Sequence, residues 1–152
     1  MSSHHSSSSC VYILDSTHGW LPANVISTDP TENVCTVTVA VPASPGSESS
    51  SPIVEPRTIE LSSYPNGVLP LQNVDENGNL LQIADMCDLP SLHEASILYN
   101  VKARYEGHQL PYTRVGDIII AVNPFEWIES LYSQEMRDIY SERLVWNGKS
   151  TT

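Results

Sequence analysis

The clearest pattern in the chain is an alternation. From Val34 to Val41, Cys35, Val37, Val39 and Val41 fall on one side and Thr36 and Thr38 on the other, the period-2 signature of a strand buried on one face. Residues 58–61 are a shorter candidate, with Ile59 and Leu61 sharing a side. Between them, residues 42–56 are rich in Ser and Pro, a composition that predicts a flexible loop. Pro65-Asn66-Gly67 supplies a further turn. Residues 11–72 therefore predict a small β-barrel-like subdomain behind a disordered polar tail, residues 1–10. Residues 73–90 show no period and read as a connector. Asn77-Gly78 marks a turn there, and Asp75, Glu76, Asp85 and Asp88 lack the spacing of a calcium-binding EF-hand loop.

The pattern changes at Ser91. Ser91-Leu92-His93-Glu94 has the form of a capping box, in which Ser and Glu satisfy each other's orphan amides at a helix start. Leu92, Ala95, Leu98 and Val101 follow at helical spacing and predict a helix to about Lys102. Residues 104–113 and 117–122 read as two strands joined by a tight turn at Val115-Gly116. Ile118-Ile119-Ile120-Ala121-Val122 is apolar without alternation, which predicts a strand covered on both faces. Pro124 stops it, since proline donates no amide and biases Asn123 to an extended conformation. Ser133 caps a last helix in which Met136, Ile139 and Tyr140 share a face. The expected class is α+β: the β-rich region, then a helix, a hairpin and a C-terminal helix within residues 91–146, with 147–152 as a tail.

Charge and cysteines narrow the partners. Lys plus Arg number 7 against 18 Asp plus Glu, a net charge of −11. Such a chain repels phosphate backbones and anionic lipid, which argues against nucleic acid and membrane surfaces; the charge also keeps a chain soluble. Cys10, Cys35 and Cys87 are odd in number and widely spaced, as in a reducing compartment, and form neither a disulfide framework nor a zinc pattern. The polar start has no apolar segment of a secretory signal, and His4-His5 read as solvated residues rather than a metal site.

The order of elements from residue 91 carries a resemblance. Leu92-His93-Glu94-Ala95-Ser96-Ile97-Leu98-Tyr99-Asn100-Val101-Lys102-Ala103-Arg104-Tyr105, then Tyr112-Thr113-Arg114-Val115-Gly116 and the apolar strand closed by Asn123-Pro124-Phe125, resemble the myosin motor head. In that family a Leu-x-Glu-x-x-Ile-Leu-x-Asn-Leu-x-x-Arg-Tyr helix leads into a Tyr-Thr-x-x-Gly hairpin ending in Asn-Pro-Tyr or Asn-Pro-Phe. The likeness covers residues 85 to about 140. A weaker one lies upstream, where Gly19-Trp20-Leu21-Pro22 is similar to the opening of the small β-barrel that precedes many myosin heads, and residues 69–73 to its exit.

The resemblance implies an actin-based, ATP-hydrolysing motor that uses ATP with Mg²⁺, works with actin filaments and light chains, and is cytoplasmic and cytoskeleton-associated. In myosins the loop after the Asn-Pro pair borders the adenine, and an aromatic a few residues on lies against the purine; those roles would fall on Asn123, Pro124 and Tyr132. An Asn amide can donate and accept at a purine edge, and a Tyr ring offers a flat apolar face. From the residues alone, Asn123-Pro124 stops a strand and Tyr132 packs in a core.

Phosphoryl transfer in this family needs a G-x-x-x-x-G-K-[ST] loop. Gly148-Lys149-Ser150 is not one: the first Gly would fall at Arg143, and no apolar strand feeds it. The expectation is an N-terminal piece of a motor domain, holding the purine side of the nucleotide site and inactive alone. The alternative is a stand-alone acidic module that binds a protein partner through the β-rich region of a myosin-like scaffold.

Overall fold

The computed structural model describes residues 9–43, 51–108, 110–128 and 131–142; the tail with His4-His5, the centre of the Ser-rich loop and residues 143–152 lie outside them. The described residues form two compact units that divide after Ala121.

The first unit opens with β1 (Cys10–Asp15), β2 (Gly19–Asp29), β3 (Val34–Val41) and β4 (Ile53–Glu60). They form an antiparallel sheet in chain order, β1-β2-β3-β4. Both tight turns use one device. Asp15 Oδ1 accepts from the amides of Thr17 and His18 at 2.9 and 2.8 Å, and Asp29 Oδ1 accepts from Thr31 and Glu32 at 2.8 and 3.2 Å. The short carboxylate stands in for a strand partner while the chain reverses. β3 behaves as its alternation requires, with Cys35, Val37 and Val39 buried. Val11, Ile13, Leu21, Ala23, Leu61, Tyr64 and Leu69 complete the core.

The barrel expectation becomes an open sheet. Among the described residues β1 and β4 do not pair; the Arg57 guanidinium of β4 reaches Asp15 Oδ2 of β1 at 2.7 Å instead. The free edge of β1 is covered by the chain leaving the sheet, through Tyr12 N to Pro70 O at 2.7 Å and Gln72 N to Cys10 O at 2.9 Å. The predicted loop 42–56 is also corrected, because β4 begins at Ile53. Pro56 sits opposite Thr38 on this edge strand, where its missing amide costs no interior ladder bond. All three cysteines are free.

The connector is irregular, as expected. Its backbone groups are served by two buried asparagines. Asn73 Nδ2 donates to Ser91 O and Asn73 Oδ1 accepts from Ser91 N, both at 2.8 Å. Asn100 Oδ1 accepts from Ile83 N at 2.8 Å, and its Nδ2 donates to Ile83 O at 3.0 Å. Each amide imitates a strand neighbour where no strand exists.

Helix α1 spans Glu94–His108, six residues beyond the expected end, so Arg104 and Tyr105 are helical and not the start of a strand. No breaker interrupts the run before Gly107. The cap is also corrected. Ser91 is tied to Asn73, and the reciprocal box forms two residues later: Ser96 N donates to His93 Nδ1 at 3.2 Å, and His93 N donates to Ser96 Oγ at 3.0 Å. The buried face is Ala95, Ser96 and Asn100, whereas Leu92 and Leu98 are exposed. The face toward the connector must satisfy backbone polar groups, so it is polar where an apolar stripe was expected.

The hairpin is β5 (Tyr112–Val115) with β6 (Ile118–Ala121). Val115 pairs with Ile118, so the two-residue turn is Gly116-Asp117, one position later than expected, and Gly116 takes the positive φ of +58° that it needs. Asp85 Oδ1 accepts from Gly116 N at 2.9 Å and Ala84 O from Arg114 N at 3.0 Å, joining hairpin to connector. β6 was expected to be covered on both faces; Ile118 and Ile119 are 67% and 64% exposed.

The second unit holds helix α2 (Gln134–Glu142). Ser133 caps it as expected, its Oγ accepting from Met136 N at 3.3 Å; the side chains of Ile139 and Tyr140 lie outside the described residues. No described helix is long and apolar enough to cross a membrane.

Candidate functional site

The sequence candidates Asn123, Pro124 and Tyr132 all fall in the second unit. Asn123 follows the end of β6 by two residues, and Pro124 keeps the strand from continuing. Asn123 Oδ1 accepts from Phe125 N at 3.0 Å, the closure of an Asx turn. Phe125 takes a positive φ of +53°, uncommon for a residue with a side chain, and its ring is 92% exposed. One lone pair of the Asn123 carbonyl is thus engaged by the chain itself, and an amide NH₂ is a donor.

Tyr132 is 49% exposed and lies against Trp127, with ring centroids 6.3 Å apart and planes tilted by 46°. Between the two rings in the chain, Leu131 N donates to Ile128 O at 3.2 Å. Sequence reasoning missed Trp127 as the ring that meets Tyr132. The signal was the clustering of aromatics after a strand stop, which carries no periodicity. The structure thus pairs Asn123 with Phe125 and Tyr132 with Trp127, and Pro124 is half-buried.

The charges near this surface are mostly acidic. In sequence the acids Glu126, Glu135 and Asp138 outnumber the one cation among them, Arg137, a balance unfavourable to bound phosphates. Flat aromatic faces and an amide donor suit a neutral base. Among the described residues no group of His, Cys, Asp and Glu could hold a metal ion.

Comparison with known proteins agrees in outline. Residues 83–147 match the family model of the myosin head (motor domain). Myosin-14 of Arabidopsis thaliana is 30% identical over 136 residues, 87% of this chain and 7% of the relative. Myosin-16 of the same plant is 43% identical over 60 residues, 40% of this chain and 5% of the relative. Protein OPAQUE1 of Zea mays is 37% identical over 81 residues, 53% of this chain and 5% of the relative. The chain spans only these small shares of its relatives' lengths. The helix, the hairpin and the Asn-Pro stop stand in the order that the motor-head resemblance requires, and over residues 83–147 this chain belongs to the myosin head (motor domain) family.

Proposed function

We propose that Asn123, Pro124 and Tyr132 form the purine-side edge of a nucleotide site belonging to an actin-based motor, and that these 152 residues by themselves do not hydrolyse ATP. The observation that carries the reading is the aromatic step of Tyr132 on Trp127, a few residues beyond the Asn123-Pro124 stop. In this reading the Asx turn fixes Asn123 with its NH₂ toward the base, and the Tyr132 ring covers a purine face. Actin filaments, light chains and a cytoskeletal, cytoplasmic location are proposed for the motor as a whole.

ATP and Mg²⁺ fit this chain only in part. Mg²⁺ would supply charge neutralisation at the phosphates, and the sequence offers neither the glycine-rich loop nor its lysine. Contacts to the base alone supply on the order of 4 kcal/mol, about millimolar affinity. Competition against a fluorescent ATP analogue tests this. Displacement only at millimolar ATP, weakened by Tyr132→Ala and Asn123→Ala, supports the reading; micromolar binding contradicts it.

A second reading, the acidic protein-binding module, is favoured by one observation: the N-terminal sheet has a buried core of its own. A monomeric 152-residue chain that unfolds cooperatively and captures a basic protein partner through residues 11–72 would establish it.

A further inference from the structure

The ring of His93 touches three parts of the first unit. Its Nε2 lies 2.8 Å from the carbonyl oxygen of Leu71, in the chain leaving the sheet. Its Nδ1 lies 3.2 Å from Ser96 N in the first turn of α1. Its edge meets the ring of Tyr12 in β1, with centroids 5.9 Å apart and planes at 72°. A carbonyl oxygen only accepts and a backbone N–H only donates. Nε2 must therefore carry the proton and Nδ1 must be bare.

The imidazolium cannot satisfy this geometry, because both of its nitrogens are donors. A proton on Nδ1 would face the Ser96 N–H and leave that amide, one of the orphan donors of the helix start, without its acceptor. It would also place a positive charge at the positive end of the helix dipole. We propose that His93 is a pH-sensitive latch: its neutral ring ties the chain leaving the sheet, at Leu71, to the first turn of α1, and protonation opens the helix end of that tie.

The groups around the ring are few. Tyr12 faces it from β1, and Tyr99 of α1 lies behind Tyr12 at 4.7 Å. Burial holds both phenols above their ordinary range, so they stay neutral. In the chain leaving the sheet, Leu71, Gln72 and Asn73 are uncharged. Glu94, next on the helix and exposed, is the one carboxylate adjacent to His93 in sequence.

The test uses the whole 152-residue chain and its His93→Asn variant, since Asn accepts from a helix-start amide at every pH. Urea unfolding is measured from about pH 8 to pH 5, the interval in which histidine side chains change charge. The expected result is that the wild type loses about fivefold more in its folding equilibrium constant than the variant, the worth of one cap. His4, His5, His18 and His108 are present in both chains and cancel. Parallel loss of stability in the two chains overturns the proposal. Should the variant not fold, ¹⁵N NMR of the wild type decides. Loss of Ser96 amide protection as the His93 ring titrates supports the latch, and an unmoved Ser96 amide overturns it.

Discussion

Tyr99 donates its hydroxyl to the carbonyl oxygen of Trp20 at 2.8 Å, a bond from the middle of α1 to the second residue of β2. The same ring lies 4.7 Å from that of Tyr12, whose side chain is fully buried. Tyr99 therefore ties the helix to the sheet by an apolar contact and by a polar one. Removing the polar contact alone, in Tyr99→Phe, should cost about 1 kcal/mol, the net worth of a hydrogen bond. Tyr12→Ala also deletes the ring and should cost about 3–5 kcal/mol. Urea denaturation followed by circular dichroism checks both; equal losses would mean that the hydroxyl, not the ring, joins the two elements.

Asn100 makes a sharper case. Its amide satisfies both backbone groups of Ile83 from a buried position. Asn100→Ala leaves a part-buried N–H and C=O without this partner, at about 1–3 kcal/mol in total. Leu98→Ala, two residues away and 52% exposed, should stay within about 0.5 kcal/mol. The polar substitution is thus expected to cost more than the apolar one, and the reverse order in a denaturation series would show that α1 packs on its leucine face.

The same contrast explains what could be read from the residues. β3 was legible because its sheet buries one face, so Cys35, Val37 and Val39 alternate cleanly with threonines. β1 was not, since Val11, Tyr12 and Ile13 are all buried, between the core on one side and α1 on the other, and a strand covered twice has no period. β2 slips register between Val25 and Ser27, which turns Ile26 outward and breaks the alternation. At the site, the Asn123-Pro124 stop was visible because proline acts locally. The Trp127–Tyr132 contact spans a turn at Ile128 that no local pattern announces.

Asp15 gives stability a pH dependence. Its carboxyl is held well below the usual carboxylate range, first by the Arg57 guanidinium and then by the amides of His18 and Thr17. A depressed folded pKa contributes stability that is complete above the unfolded value of about 3.9 and is lost as pH falls through the folded value. Wild-type stability should therefore fall more steeply with acid than that of Asp15→Asn, and the two should converge in strong acid. Unfolding midpoints across the acid range provide the measurement. Parallel curves would show that the Arg57 contact adds nothing to folding.

The hairpin carries a liability that follows from exposure and edge geometry together. Ile118 and Ile119 lie open on β6, whose only partner among the described residues is β5. An uncovered apolar strand with an unpaired edge is a template for pairing with a second chain. Replacing both residues by Thr keeps β-branching, so the strand preference persists, and exposed changes of this kind typically cost within about 0.5 kcal/mol. The double variant Ile118→Thr with Ile119→Thr should then aggregate several-fold more slowly at unchanged stability, with light scattering reading the first and urea unfolding the second. If scattering is unchanged, association runs through another edge. The strongest candidate is β4, where Ile53 and Val54 are also exposed and Pro56 blocks only part of the ladder.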